Sequence, residues 1–345
     1  MAQIDKPNTH FNPVLYTGTG ATNSVTSLDF QPDLIWSKSR TDVGGYGHFW
    51  QDSIRGVNKR LMSNSTAGEN TLTNTLDSFD SNGFTMGADS TTEMNKSGSS
   101  YVAWNWKAGG TAVSNTDGSI TSSVSANTDS GFSIVSYTGT GANATIGHGL
   151  GEVPKMIIFK NRSSVKSWAV YHTSLGATKF IWLNETGAVS TYTPMFNDTE
   201  PTSSVFSVGT DLASNVSADN YIAYCFADVK GFSKMGSYVG NGSADGTFIY
   251  TGFKPAFIMA KSSSASGDWV ITDVKRNTYN PLSKRLFPNQ SIAESTTNNW
   301  YDVLSNGFKA RLSDGTHNGS GTTYIYLAIA ESPIVGTNGV PATAR

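Results

Sequence analysis

The hexapeptide YTGTGA occupies residues 16–21 and recurs letter for letter at 137–142. A Gly-rich run of this kind invites comparison with a phosphate loop. That loop needs a Lys-Ser/Thr pair opening a helix, or a third glycine at fixed spacing. The continuations here, TNSVTS and NATIGH, supply neither. The hexapeptide is better read as one landmark of a longer internal repeat.

Reading outward from it gives a register. Tyr16 leads to Pro32 and PDLIWSK; Tyr137 leads to Pro154 and PKMIIFK. A more diverged copy, YVGNG from Tyr238, leads to Pro255 and PAFIMAK. In every copy a lysine stands six residues after the proline. Next come His48/Asp52, Trp168/His172 and Trp269/Asp273, each pair four apart. Leu61/Asn64, Ile181/Asn184 and Leu286/Asn289 follow, then SNGF (81–84), SSVF (203–206) and SNGF (305–308). The register closes on Asn95/Tyr101, Asn215/Tyr221 and Asn318/Tyr324. One order of landmarks kept through three copies implies three homologous units of about 100 residues, too long for solenoid repeats and long enough for separate cores. The boundaries read from it are 11–108, 131–230 and 231–334. They leave an N-terminal arm (1–10), a polar Ser/Thr/Gly linker (109–130) and a C-terminal tail (335–345). The arm has Pro7 and little apolar content, so ordering it takes a partner.

Each unit is a string of short apolar runs broken by Gly, Asn, Ser and Asp, with almost no helical periodicity. The runs after Pro32, Pro154 and Pro255 are apolar on both faces. They read as central strands covered on both sides, with proline at the first position, where no ladder donor is needed. The runs after Tyr101, Tyr221 and Tyr324 read as second strands of that kind. Asn-Gly within SNGF predicts tight hairpins. The turn spacing implies roughly seven to nine strands per unit. The fold class expected is all-β, as three tandem β-sandwiches of the jelly-roll or concanavalin-like kind. Within it, YTGTG is a strand end whose tyrosine packs inward and whose glycines let the chain reverse.

Composition agrees. Charged residues are 14% of the chain and the formal charge is −2, with no basic cluster to neutralise phosphates, so no nucleic-acid partner is expected. The single cysteine, Cys225, lies in the apolar run YIAYCFADV and reads as a buried hydrophobe, not as half of an intrachain disulfide. No apolar leader or spanning segment is evident, which points to a product made in a cytosol with no membrane partner.

The residues offer little for catalysis. No strand carries the paired carboxylates of a glycanase on one face. There is no nucleophile elbow and no calcium loop, and Asp77 and Asp80 belong to a polar turn. Asp52, His172 and Asp273 share one repeat position, polar in every copy. The plain reading is a hydrogen bond holding the next loop; the sharper one is a metal ligand or an acid/base. Asn64, Asn184 and Asn289, like Asn95, Asn215 and Asn318, read as amides satisfying turn backbone. Asn and Trp at loop rims are the alternative, as sugar contacts. No cofactor, metal or catalytic residue is expected.

Taken together, YTGTG, PDLIWSK, DSIRG, LDSFDSNGF, YVAWNWKAGG and the stretch from VSANTDSGF to PKMIIFKNRS resemble a repeated domain of tailed-phage virion proteins, marine phages especially. The resemblance covers 11 to about 230 well and 231–334 loosely. It implies a β-sandwich on the virion surface, in a non-enzymatic structural protein such as a capsid decoration, head knob or small tail appendage. The partners implied are major capsid or tail proteins, and copies of the chain itself as a homo-oligomer, here a trimer. A receptor-binding fibre tip recognising host surface glycan is the runner-up, and a polysaccharide-degrading enzyme the third. In the third copy Tyr326 replaces Ala103 and Ala223, which suggests a surface given to another partner.

Overall fold

The computed structural model describes residues 2–42, 46–88 and 94–343; Met1 of the arm and the last two residues of the tail lie outside the described residues. The chain is all-β, built from antiparallel sheets in sandwich-like pairs. In the first repeat the main sheet runs, in spatial order, Phe11–Thr17, Ser100–Trp106, Leu34–Ser39, Phe49–Asp52, Lys59–Met62 and Asn70–Thr71. A smaller outer sheet (Asn23–Val25, Gly83–Met86, Ser78–Asp80) covers one face. The second repeat keeps that order with Phe132–Thr138, Asn220–Phe226, Met156–Asn161, Ala169–His172, Lys179–Trp182 and Ser190–Thr191. The third keeps its first four members as Ser233–Val239, Thr323–Pro333, Phe253–Ser262 and Val270–Asp273.

Side chains alternate across a strand, so a main-sheet strand has two faces to bury. One face packs under the repeat's own outer sheet. It carries Ile35, Phe49 and Ala103 in the first repeat, Phe159, Tyr171 and Cys225 in the second, and Ile258 and Ala328 in the third. The other face looks inward. Trp36, Trp50 and Trp104 meet Ile158, Trp168 and Tyr224, and these meet Phe257, Trp269 and Leu327, in one cluster drawn from all three repeats. Trp50 lies 5.3 Å from Trp168 and 4.7 Å from Tyr224, and Phe11 lies 5.4 Å from Phe257, centroid to centroid. The repeats are therefore not beads on a string. Three main sheets enclose a common core, with the outer sheets around them.

Several local expectations change with this geometry. The linker is not featureless: Val113–Asn115 and Ser122–Asn127 form a hairpin that extends the second main sheet, and Ile120 and Val124 join the second core. Their spacing, with Ser122 and Ala126, was an alternating strand pattern masked by serines. The arm finds its partner in its own chain. Ile4 is buried in the common core, its N–H donates to Lys230 O (3.3 Å), and Gln3 donates to Val335 O of the tail (2.7 Å).

Asn-Gly is not the hairpin centre. Asp80 pairs with Gly83 and Leu304 with Gly307, leaving Ser-Asn as the two-residue loop. The glycine instead gives room to the neighbouring strand, since a Cβ on Gly83 would sit 1.7 Å from Val25 O and one on Gly307 2.0 Å from Ile249 O. Tyr326 is buried, not a surface substitution. Its hydroxyl would lie 2.8 Å from a Cβ at Gly236, whose counterparts are Val14 and Val135, so a large residue over a small one replaces the Ala/Val pairs. Pro32 and Pro154 precede their strands, whereas Pro255 lies inside Phe253–Ser262 at a break in register.

The first strand of each repeat is, in principle, an open edge, a hazard for chain-to-chain pairing. Lys107 N–H donates to His10 O and Gly18 N–H to Ser99 O, so even-numbered residues of Phe11–Thr17 bond inward and Pro13 faces the edge with no N–H to offer. Its counterpart Ile134 is paired by the linker hairpin, opposite Ser125. The third counterpart, Met235, donates its N–H to the Asp228 carboxylate (2.8 Å). One structural problem receives three solutions.

Candidate functional site

The repeat positions gather along three seams where neighbouring repeats meet. Each main sheet ends its central strand with the lysine that follows the proline. Lys160 of the second repeat donates to Thr66 O of the first (3.1 Å), Lys261 of the third to Thr186 O (3.1 Å) and Gly187 O (2.9 Å) of the second, and Lys38 of the first to Ser291 O of the third (3.2 Å). The direction of donation is cyclic, so the set closes into a ring with approximate threefold symmetry. All three lysines are buried. Burial pushes the Lys160 ammonium down to about 7 and those of Lys38 and Lys261 down to about 8, while carbonyl oxygens accept their protons, three at Lys160 and Lys261 and two at Lys38.

The same seams carry a backbone link: Glu69 N–H to Arg162 O (2.8 Å), Glu294 N–H to Arg40 O (2.9 Å) and Val189 N–H to Ser263 O (3.0 Å). At two seams the side chains add a forked ion pair, Arg162 with Glu69 (3.0 and 3.1 Å) and Arg40 with Glu294 (3.0 and 2.9 Å). At the third seam Ser263 and Val189 offer no such pair.

Asp52, His172 and Asp273 lie in this interior, each fully buried and each reaching the next repeat. Tyr224 OH donates to Asp52 Oδ2 (2.7 Å) and Trp104 Nε1 to Asp273 Oδ2 (3.0 Å). Arg55 and Arg276, three residues on, neutralise these carboxylates and also donate to Trp50 O and Ile271 O. In the second repeat the arginine's place is taken by Leu175, and the facing residue of the third is Leu327, which has no donor. A carboxylate there would be buried with no cation beside it and no side-chain donor across the seam. The residue is a histidine, accepting from Ser174 N–H at Nδ1 (3.1 Å) and donating from Nε2 to Tyr326 O (3.2 Å). Desolvation holds its imidazole down to about 4, so the neutral form fits both bonds. The polarity of this repeat position follows from what faces it across the seam.

The remaining positions hold the turns. Tyr16, Tyr137 and Tyr238 stack on Tyr101, Tyr221 and Tyr324 at 5.0, 5.1 and 5.0 Å. Their hydroxyls donate to Met94, Ser214 and His317 carbonyls. Asn95 accepts from Thr19 N–H and donates to Ala21 and Gly87 carbonyls; Asn215 does the same with Thr140, Ala142 and Gly209. Asn318 accepts from Asn241 N–H and donates to Ser243 and Leu312 carbonyls. Asn64, Asn184 and Asn289 accept from the N–H of His48, Trp168 and Trp269. The first glycine of each turn (Gly18, Gly139, Gly240) lies where a Cβ would meet a carbonyl oxygen at 2.2–2.3 Å, and the second (Gly20, Gly141, Gly242) has φ near +70°. The third copy, YVGNG, keeps both.

Sequence reading missed the seam lysines as functional groups and the Arg–Glu forks altogether. The thrice-repeated lysine ending an apolar strand was the available signal; no local signal joins Glu69 to Arg162. Cys225 is buried, and desolvation raises its thiol. Among the described residues no group of three His, Cys, Asp or Glu stands together as metal ligands, and no helix is long and apolar enough to cross a membrane. A cleft of about 350 Å³ lies beside Phe11, Asn12 and Pro13 against Val274, Lys275 and Thr278 of the third repeat.

No curated protein matches this chain significantly. Residues 6–333, which span all three repeats and the seams between them, match the family described as "Domain of unknown function (DUF7483)", and the chain belongs to that family.

Proposed function

We propose that this chain is a non-enzymatic structural protein on the surface of a tailed-phage virion, synthesised in the host cytoplasm and acting through shape and contact. Its place is a capsid decoration, a head knob or a small tail appendage, and its repeats are sandwiches of the jelly-roll or concanavalin-like kind. The observation that supports this reading best is the commitment of Asp52, His172, Asp273 and the seam lysines to holding three repeats in a closed ring. Those groups act as cohesion, and the result is a rigid body with rotational pseudo-symmetry suited to a symmetric particle. The resemblance carried by YTGTG and PKMIIFK supplies the phage context. The partners are major capsid or tail proteins and, in a homotrimer, two further copies. Locating the chain in a density map of purified particles tests the reading; its absence from washed virions by mass spectrometry would end it. Light scattering separates a trimer from a single 36.8-kDa chain that is its own ring of three.

A second reading, recognition of host surface glycan at a fibre tip, is favoured by two exposed aromatic rings on one outer strand of the third repeat. Adsorption of phage carrying substitutions there tests it.

A further inference from the structure

The outer sheets differ most on the side facing away from the core. On Phe248–Tyr250 of the third repeat, Ile249 points inward while Phe248 and Tyr250 point outward, 43% and 58% exposed. By register against Phe308 and Phe84, the first repeat has Ser24 and Thr26 at these places. In the second repeat Thr145 stands at the Phe248 position and is covered by the linker, through Ser119 N–H to Thr145 Oγ1 (2.9 Å). The aromatic pair is thus peculiar to the third copy and open.

Both rings lie close over glycine. Phe248 Cε2 would be 3.1 Å from a Cβ on Gly307, its diagonal neighbour, and the Tyr250 hydroxyl and ring 3.5 and 3.7 Å from one on Gly252. The missing Cβ at Gly307 leaves room for the Phe248 ring, and both rings are open to solvent. Residues i and i+2 of a strand are about 6.7 Å apart, so the two rings form adjacent platforms. The charges nearby are already matched: Lys309 pairs with Asp245, and Arg311 with Asp302 (3.4 Å). Past Arg311 the surface dips into a depression of about 310 Å³ lined by Thr296, Thr297, Asn298 and Asn299.

We propose that this face binds a neutral oligosaccharide, with C–H faces of successive sugar rings on Phe248 and Tyr250 and hydroxyls reaching the amides and hydroxyls of the depression. Matched charges leave nothing for an anionic ligand to neutralise. The three-stranded face measures roughly 10 by 13 Å, far short of the ~800 Å² per partner of a stable protein interface. The occupant is therefore a glycan chain and not a second protein.

The site gives the glycan-recognition reading a location and rests on it. Binding is read on the isolated full-length chain and adsorption on phage, so either can fail alone. The test is an array of immobilised neutral polysaccharides and bacterial O-chains, followed by saturation-transfer NMR with an oligosaccharide cut from any glycan retained. The wild-type chain is expected to bind at least one glycan. Phe248→Ser with Tyr250→Thr, which restores the residue types of the first repeat, is expected to weaken that binding at least tenfold with the melting temperature unchanged. Should the double variant fold poorly, Tyr250→Thr alone is expected to lose severalfold, with ring resonances of wild-type Tyr250 shifting on titration. No glycan retained by the wild-type chain, or equal binding by a folded variant, overturns the proposal.

Discussion

His172 shows how a single buried residue is set by its surroundings. Its imidazole is held down to about 4, against about 6.5 when unfolded. The unfolded chain therefore takes up a proton that the native chain refuses. The stability this residue contributes is complete above pH 6.5 and is lost as pH falls toward 4, by about 3 kcal/mol. Urea midpoints at pH 7.5 and 4.5 are expected to fall further apart for the wild-type chain than for His172→Gln; equal slopes would refute the assignment. Burial also depresses His48, His148 and His317, so part of the acid sensitivity persists in the variant. The Asp–Arg pairs make the complementary case. Asp52→Ala leaves the buried Arg55 Nε and Tyr224 hydroxyl without the carboxylate they share and is expected to cost about 3–5 kcal/mol. Replacing Asp52, Arg55 and Tyr224 together by His, Leu and Leu copies the second-to-third seam and is expected to cost less than the single change, as read by thermal unfolding.

At the scale of the element, the turn glycines and the sheet edges are the sensitive features. Gly139→Ala would drive a Cβ to 2.2 Å from Val216 O. The turn must open, and a loss of about 2–3 kcal/mol in chemical denaturation is expected. At the edge strand Pro13 is buried. Pro13→Val adds a backbone N–H there that no partner is placed to accept, and thermal unfolding is expected to show a loss of about 1–3 kcal/mol; an unchanged midpoint would refute this role for the proline. Strand existence was legible from the apolar runs. The linker hairpin was not, because a serine at the inward position Ser122 hides the alternation of Ile120 and Val124.

For the whole molecule, the common core ties the three repeats into one unit. Near- and far-ultraviolet dichroism are expected to report a single coincident urea transition; three resolved transitions would mean that the seams contribute little. The Arg162–Glu69 fork is partly open to solvent, its side chains 21% and 12% exposed. A double-mutant cycle across it is expected to give about 1–2 kcal/mol, falling with added salt.

The order of landmarks in the chain was enough to establish three copies of one β unit, because strand periodicity and turn residues are local and survive divergence. It also marked Asp52, His172, Asp273 and the paired tyrosines, since a polar or aromatic residue repeated three times among strands has a shared cause. What those residues face belongs to the tertiary structure. Asp52 meets Tyr224, and Trp104 meets Asp273, across gaps of more than 160 residues, and no local pattern encodes such a meeting. The strands between were apolar on both faces, and only the packing of three sheets could say that the second face belongs to a core all three share.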